Sequence, residues 1–401
     1  MTSTDLRTTG TGGPVERLPV WRLLAFTTAG FLAIMTETMP AGLLPGIGAG
    51  LGVSEGLAGQ LVTAYAIGSV AAAIPVIALT RGVGRRSLLL TAVGGLLVFN
   101  TVTALSGSYP LTLAARFVAG MAAGVIWGLL AGYARRMVPG HLQGRALAVV
   151  GVGQPVALTL GVPLGTWLGS MVDWRGVFWI MSGVALVLMV WIRSLVPGFA
   201  GEAAGSRRSL REIFVAPGVR PVLAVVFLWI IGHNVLYTYI SPFLKDAGMD
   251  GETDLVLLLF GASSIVGIWG TGALVDRRLR ALTLGALAGF ALSAVVLGVG
   301  AGHPAPILAG VVAWGLTFGG APTLLQTAIA DAAGGGADVA QSMLVTVFNL
   351  AVAGGGVAGG VLLESAGPRS FPWTVLVLAL LALAAVWTSR SSAFKPGHRV
   401  R

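Results

Sequence analysis

Stretches of about twenty predominantly apolar residues recur along this 401-residue chain, and that recurrence limits the fold more than any other feature. A helix rises roughly 1.5 Å per residue, so each stretch matches a hydrocarbon layer about 30 Å thick. Inside such a layer every main-chain N–H and C=O must find a partner within the protein, which leaves helices or closed barrels. Barrel strands are half as long and alternate in polarity, whereas these runs are continuous. The pattern predicts spans at about 20–44, 56–79, 87–106, 110–134, 144–169 and 176–196 in a first set. A second set falls at about 219–243, 254–275, 282–302, 304–330, 338–363 and 371–389. Only "GAGHPAP" separates spans nine and ten. The expected class is an all-α membrane protein of twelve transmembrane helices.

The longest polar interruption is "PGFAGEAAGSRRSLREIFVAPG", which divides the chain into a polar tail at 1–19, a six-helix bundle at 20–196, a linker at 197–218, a second bundle at 219–390 and a basic tail at 391–401. The opening tail lacks the charged, apolar and small-residue parts of a cleaved signal, so the first apolar segment is expected to be retained. The halves repeat each other. "FLAIMTETMP" at Phe31 aligns with "FLWIIGHNVL" at Phe227, and "ALTRGVGRR" at Ala78 with "ALVDRRLRA" at Ala273. Gly120 and Gly124 align with Gly315 and Gly319, and "GVPLGTWL" at Gly161 with "GVAGGVLL" at Gly356. Matches held in register across this distance indicate duplication, and paired six-span halves with a site between them suit alternating access.

Charge sets the expected orientation. Arg175, Lys245 and Arg369 fall in the loops of one side and Arg116 within a span; the other 21 of the 25 Lys and Arg fall on the side of the termini. That asymmetry predicts cytoplasmic termini and a multi-pass protein of the cytoplasmic membrane. The net charge of +10 then faces anionic lipid, and nucleic acid is not expected as a partner. With no Cys and four scattered His, neither a thiolate nucleophile, a metal site nor a cofactor is expected, and an enzyme is not.

One residue breaks the apolar pattern. Glu37 lies 16 residues beyond Trp21, roughly 24 Å along a helix. Arg116, on the fourth span, falls at a similar depth when that span is counted from about Pro110. A carboxylate at that depth must face the interior, pair, or carry a proton. Two readings stand: a static Glu37–Arg116 ion pair, or a proton site tuned by a neighbouring cation. His233 occupies the position of Glu37 in the second half. His233, Asn234, Tyr237, Asn100, Tyr65, Gln326 and Asn349 are candidate substrate contacts, each equally readable as a helix–helix hydrogen bond. Trp127 and Trp314 sit within about a turn of the paired glycines and read first as core.

These motifs resemble those of the major facilitator superfamily over nearly the whole chain. "LTRGVGRR" is similar to the family's loop between spans two and three, with Thr80 where an acid is usual. "GALVDRR" keeps the acid, as Asp276 beside Arg277, and "RFVAGMAAG" resembles the fourth-span Arg motif. "LTLGVPLGTWLG", with "TETMPAGLLPGI" and "WRGVFW", is similar to the twelve-span drug:proton antiporter subgroup, which includes chloramphenicol-resistance, sugar-efflux and purine ribonucleoside exporters. The resemblance implies two pseudo-symmetric six-helix bundles and a gating loop at Arg81, Arg85 and Arg86, matched by Asp276 and Arg277. It implies an antiporter motif at Gly153, Pro155, Gly161, Pro163, Gly165 and Gly169. The function expected is proton-driven export of a small drug-like molecule by a monomer, through Glu37 and Arg116, with sugar or nucleoside efflux as the alternative.

Overall fold

The computed structural model describes residues 18–73, 80, 82–139, 142–199, 210–334 and 337–394. Most of the polar tail, Arg81, the middle of the linker and most of the basic tail lie outside the described residues. The first half comprises α1 (Val20–Gly42), α2 (Leu44–Leu51), α3 (Glu55–Ala73), α4 (Arg85–Leu105), α5 (Tyr109–Arg136), α6 (Gln143–Gly151), α7 (Gly153–Val156), a π-turn at Ala157–Gly161 and α8 (Val162–Leu195). After α9 (Leu210–Phe214), the second half comprises α10 (Val219–Thr238), α11 (Ile240–Asp246), α12 (Thr253–Val299), α13 (Pro304–Gly319), α14 (Ala321–Ala333), α15 (Ala337–Ser365) and α16 (Ser370–Thr388). Among the described residues ten helical stretches are long and apolar enough to cross a membrane. The one at Arg145–Leu195 breaks at Asp173, whose φ is 65°, and holds two of the expected passes; α3 covers the described part of the pass expected at 56–79, whose residues 74–79 lie outside the described residues. The expected loop near residue 277 is a break inside α12 at Arg278.

Burial separates the central helices from the peripheral ones. In α1 and α10, 72% and 67% of the apolar window is buried, against 33% in α16. Helices one and seven of the twelve are therefore enclosed by protein, whereas peripheral helices turn Trp269, Val299 and Leu292 outward as a lipid-facing apolar surface. Small residues let the helices meet. A Cβ on Gly120 or Gly124 would strike the carbonyl oxygens of Tyr65 or Ser69 on α3. Gly315 and Gly319 meet those of Phe260 and Ser264 on α12 in the same way, which is the duplicated contact seen twice.

Both central helices are broken at equivalent points. Leu43 separates α1 from α2 with φ −122° and ψ 11°, and Tyr239 separates α10 from α11 with φ −111° and ψ 31°. Prolines cause this, because Pro45 and Pro242 have no N–H to return to the carbonyls of Ala41 and Thr238.

The loops beyond α2, α4, α11 and α15 gather at one face, here called distal, opposite residues 18 and 394. Arg175 donates to the main-chain oxygens of Gly50 and Ser106, and Arg369 pairs with Asp246 at 2.8 Å. The halves are sealed together on this side. The Tyr239 hydroxyl donates toward Gly356 O at 2.8 Å and lies 3.2 Å from Gly56 O, while Gln60 Nε2 donates to Tyr239 Oη and to Gly356 O. Gly59, Gly359 and Gly360 form the slot that admits the tyrosine ring; any side chain there would overlap it or Gln60. Ser54 donates to Glu364 at the rim, and Thr159 of the π-turn donates to Gly261 O on α12.

Candidate functional site

The main chain of α1 around Glu37 is held from three helices. Tyr65 on α3 donates its hydroxyl to Ala33 O at 2.8 Å, and Asn100 on α4 donates to Thr36 Oγ1 at 3.1 Å. Arg116 on α5 donates through Nη2 to Glu37 O at 3.3 Å and through Nε to Leu61 O at 3.4 Å. Its guanidinium lies 4.7 Å from the Tyr65 ring centroid and 5.8 Å from that of Phe178, so cation–π contact accompanies the hydrogen bonds. Arg116 is fully buried, and its Nη1 has no hydrogen-bond partner. Tyr65 and Asn100, expected to touch substrate, are fully buried here as struts behind α1.

The Glu37 carboxylate takes no hydrogen bond and no ion pair within 4.0 Å among the described residues. Its oxygens are also absent from the fully buried polar atoms that lack a partner, so the residue's 7% exposure includes its carboxyl end. The helix that carries it, α1, packs against α10, α11 and α12 of the other half as well as against its own. Of the two readings, the static Glu37–Arg116 ion pair is not formed within 4.0 Å; the cation secures the helix and leaves the carboxylate without a hydrogen bond among the described residues.

His233 repeats this placement, six residues before the Tyr239 break as Glu37 lies six before the break at Leu43. Its ring sits in an aromatic box. Phe318 stacks on it with centroids 3.6 Å apart and planes 6° apart, Tyr237 stacks at 5.1 Å, and Phe260 and Trp314 lie at 5.7 and 5.4 Å. Trp314 Nε1 donates to His233 Nδ1 at 3.2 Å. Asn234 donates to Ile230 O and Asn349 to Val345 O, each within its own helix, while Gln326 is exposed on α14. Tyr237 is buried, and its hydroxyl has no partner. Tyr239 and Gln60, which join the halves distally, were not among the expected site residues; the prolines flanking the breaks were the available signal.

The four motif glycines of the fifth pass face α1 or its end. A Cβ on Gly153 would strike Thr27 O, one on Gly161 the sulfur of Met35, one on Gly165 that of Met39, and one on Gly169 the side chain of Leu43. Pro155 and Pro163 bracket the π-turn, where Val162 N–H reaches back five residues to Ala157 O. A bare, locally unwound surface against a central helix is suited to sliding and bending. Of the gating-loop residues, Arg85 N–H donates to Phe199 O and Arg86 to Val196 O. Arg277 is exposed, and Arg81 and the Asp276 side chain lie outside the described residues. Three residues on, Arg280 binds the oxygens of Val386, Trp387 and Phe394, clamping the end of α16.

Two broken central helices, related by duplication and carrying Glu37 and His233 at equivalent points, are the arrangement of a secondary transporter. The Major Facilitator Superfamily model matches residues 26–339, and the chain belongs to that superfamily. It is 31% identical over 365 residues to the purine ribonucleoside efflux pump NepI of Escherichia coli, covering 89% of this chain and 92% of that one. It is 30% identical over 378 residues to a Pseudomonas aeruginosa protein named transcription regulatory protein OpdE, covering 92% and 94%. Among solved structures, the inward-open xylose transporter XylE of E. coli matches with a TM-score of 0.75 at 16% identity, covering 94% of this chain and 97% of that one. The human organic anion transporter MFSD10 matches with a TM-score of 0.68 at 17% identity, covering 92% and 100%. The chain is a multi-pass membrane transporter and not an enzyme.

Proposed function

We propose that this transporter exports a small organic molecule from the cytoplasm in exchange for protons, with Glu37 as the proton site. The observation that carries the reading is the unpaired Glu37 carboxylate at membrane depth on a protein-enclosed helix. A charge there is costly, and with no ion pair to offset it the group gains by binding H⁺ whenever the cleft admits water. Competition between proton and cargo for the cleft couples the two flows. The termini face the cytoplasm, the distal seam closes the outer side in this state, and one chain suffices because both halves of the cleft belong to it.

The cargo is drug-like or a nucleoside. A purine nucleoside is favoured by the name of the E. coli relative. Everted vesicles loaded by an imposed pH gradient test both, with radiolabelled inosine and chloramphenicol as probes and an uncoupler as control. Uphill movement lost in Glu37→Gln supports the reading. Uphill movement that persists in this variant, with an unaltered pH dependence, overturns it.

A further inference from the structure

We propose that Trp314 locks His233 as the neutral tautomer protonated on Nε2, so that the second half presents a fixed hydrogen-bond donor, and no second proton carrier, to the substrate cleft. The cleft's role in transport rests on the function proposed above; the lock itself does not.

An indole N–H only donates, so the 3.2 Å contact requires a lone pair on His233 Nδ1, and the single ring proton of neutral imidazole then sits on Nε2. Protonating Nδ1 would set two donors face to face. Trp314 is fully buried and has no other acceptor among the described residues, so the imidazolium would leave its N–H unpaired. Turning the ring over would exchange Nδ1 for a carbon, and the parallel Phe318 face at 3.6 Å with Tyr237 at 5.1 Å restrains that motion.

Among the described residues no acid touches the ring. The groups in contact are Phe260 from α12, Trp314 and Phe318 from α13, and Tyr237 from the same helix; none is charged, and Tyr237 alone can titrate. Of the helices packed on α10, α1 carries Arg22 and Glu37, α9 Arg211 and Glu212, α11 Lys245 and Asp246, α14 Asp331, and α15 Glu364 and Asp338, whose side chain lies outside the described residues; the hydrogen bond and ring contacts of His233 among the described residues involve none of them. The free nitrogen points the other way. Nε2 takes no bond among the described residues and is absent from the fully buried polar atoms without partners, so the 7% exposure of His233 includes it.

The duplication has therefore diverged into complementary roles. The first half offers a carboxylate that gains and loses H⁺, and the second offers an N–H that stays. Cargo must bring an acceptor to that N–H, such as a carbonyl or an unprotonated ring nitrogen, and the donor strength does not change as the proton gradient is spent. Trp314 acts through His233 and is a positioning residue.

The test is ¹⁵N NMR of the histidine-labelled protein in lipid nanodiscs, with the His233 signals assigned by subtraction of His233→Asn. An unrestrained imidazole, with a pKa of ~6.5, would be about 90% charged at pH 5.5. The expected wild-type result is a protonated Nε2 and bare Nδ1, unchanged between pH 8 and pH 5.5. Trp314→Phe keeps the ring and removes the donor; His233 should then exchange tautomers and titrate within that window. Wild-type His233 becoming imidazolium by pH 5.5, or showing its proton on Nδ1, overturns the proposal even if the variant misfolds. None of these outcomes requires a transported probe, so a failure of the export reading would not be mistaken for a failure of this one.

Discussion

Arg116 donates to the main-chain oxygen of Glu37 at 3.3 Å and not to its carboxylate. The two residues that composition alone would join as an ion pair are neighbours with separate tasks. The guanidinium fixes where the helix lies, through Glu37 O and Leu61 O, and the carboxylate is left without a hydrogen bond among the described residues. Substituting Arg116 should therefore damage the scaffold first. Arg116→Lys supplies one ammonium where a fork spans two carbonyls, and it loses the planar stacking on Tyr65. A loss of about 1–3 kcal/mol is expected, read as a lowered midpoint of thermal unfolding in detergent. An unchanged midpoint would contradict the assignment.

The glycines of the fifth pass should differ in tolerance. A methyl at Gly153 meets the carbonyl of Thr27, which belongs to the main chain, whereas one at Gly161 meets the sulfur of Met35, which can swing aside. Gly153→Ala should cost about 1–3 kcal/mol and Gly161→Ala less, again by thermal unfolding. Equal costs would mean that the two helices part more freely than their packing indicates.

Tyr239 should set the closure of the distal face. Its hydroxyl takes part in hydrogen bonds with Gly356 O, Gly56 O and Gln60, so Tyr239→Phe weakens the seam while leaving the ring in its glycine slot. The natural chain has no Cys, which makes a single reporter such as Asn234→Cys unambiguous. Loss of about 1 kcal/mol from the closed state should raise labelling by an impermeant maleimide from the distal side roughly fivefold. Labelling that does not change would place the seam's strength elsewhere.

Much of this arrangement was legible in the residues. The run lengths located the passes, and α15 and α16 at Ala337–Ser365 and Ser370–Thr388 fall within a few residues of the expected spans. The alignment of Gly120 and Gly124 with Gly315 and Gly319 became one contact made twice, because close helix approach demands a missing side chain and leaves a clear mark in sequence. The depth argument brought Glu37 and Arg116 together. It could not say which oxygen Arg116 would choose, since periodicity orders side chains and is blind to main-chain acceptors. For the same reason Tyr65 and Asn100 were read as cleft residues, when each reaches back to α1 and is enclosed. The helix breaks at Leu43 and Tyr239 were written in Pro45 and Pro242, but an apolar run reads the same whether or not its helix is continuous. The turns at Asp173 and Arg278 fall between the expected passes, although only one residue with non-helical angles separates the helical segments at each.

Proton binding by Glu37 is the claim on which the mechanism stands, and counting protons measures it without knowledge of the cargo. Purified wild-type protein and Glu37→Gln, titrated in unbuffered detergent solution with a pH indicator, should differ by one proton per chain, released as the solution is made alkaline. If the two titrations superimpose, Glu37 carries no exchangeable proton and the coupling proposed here is wrong.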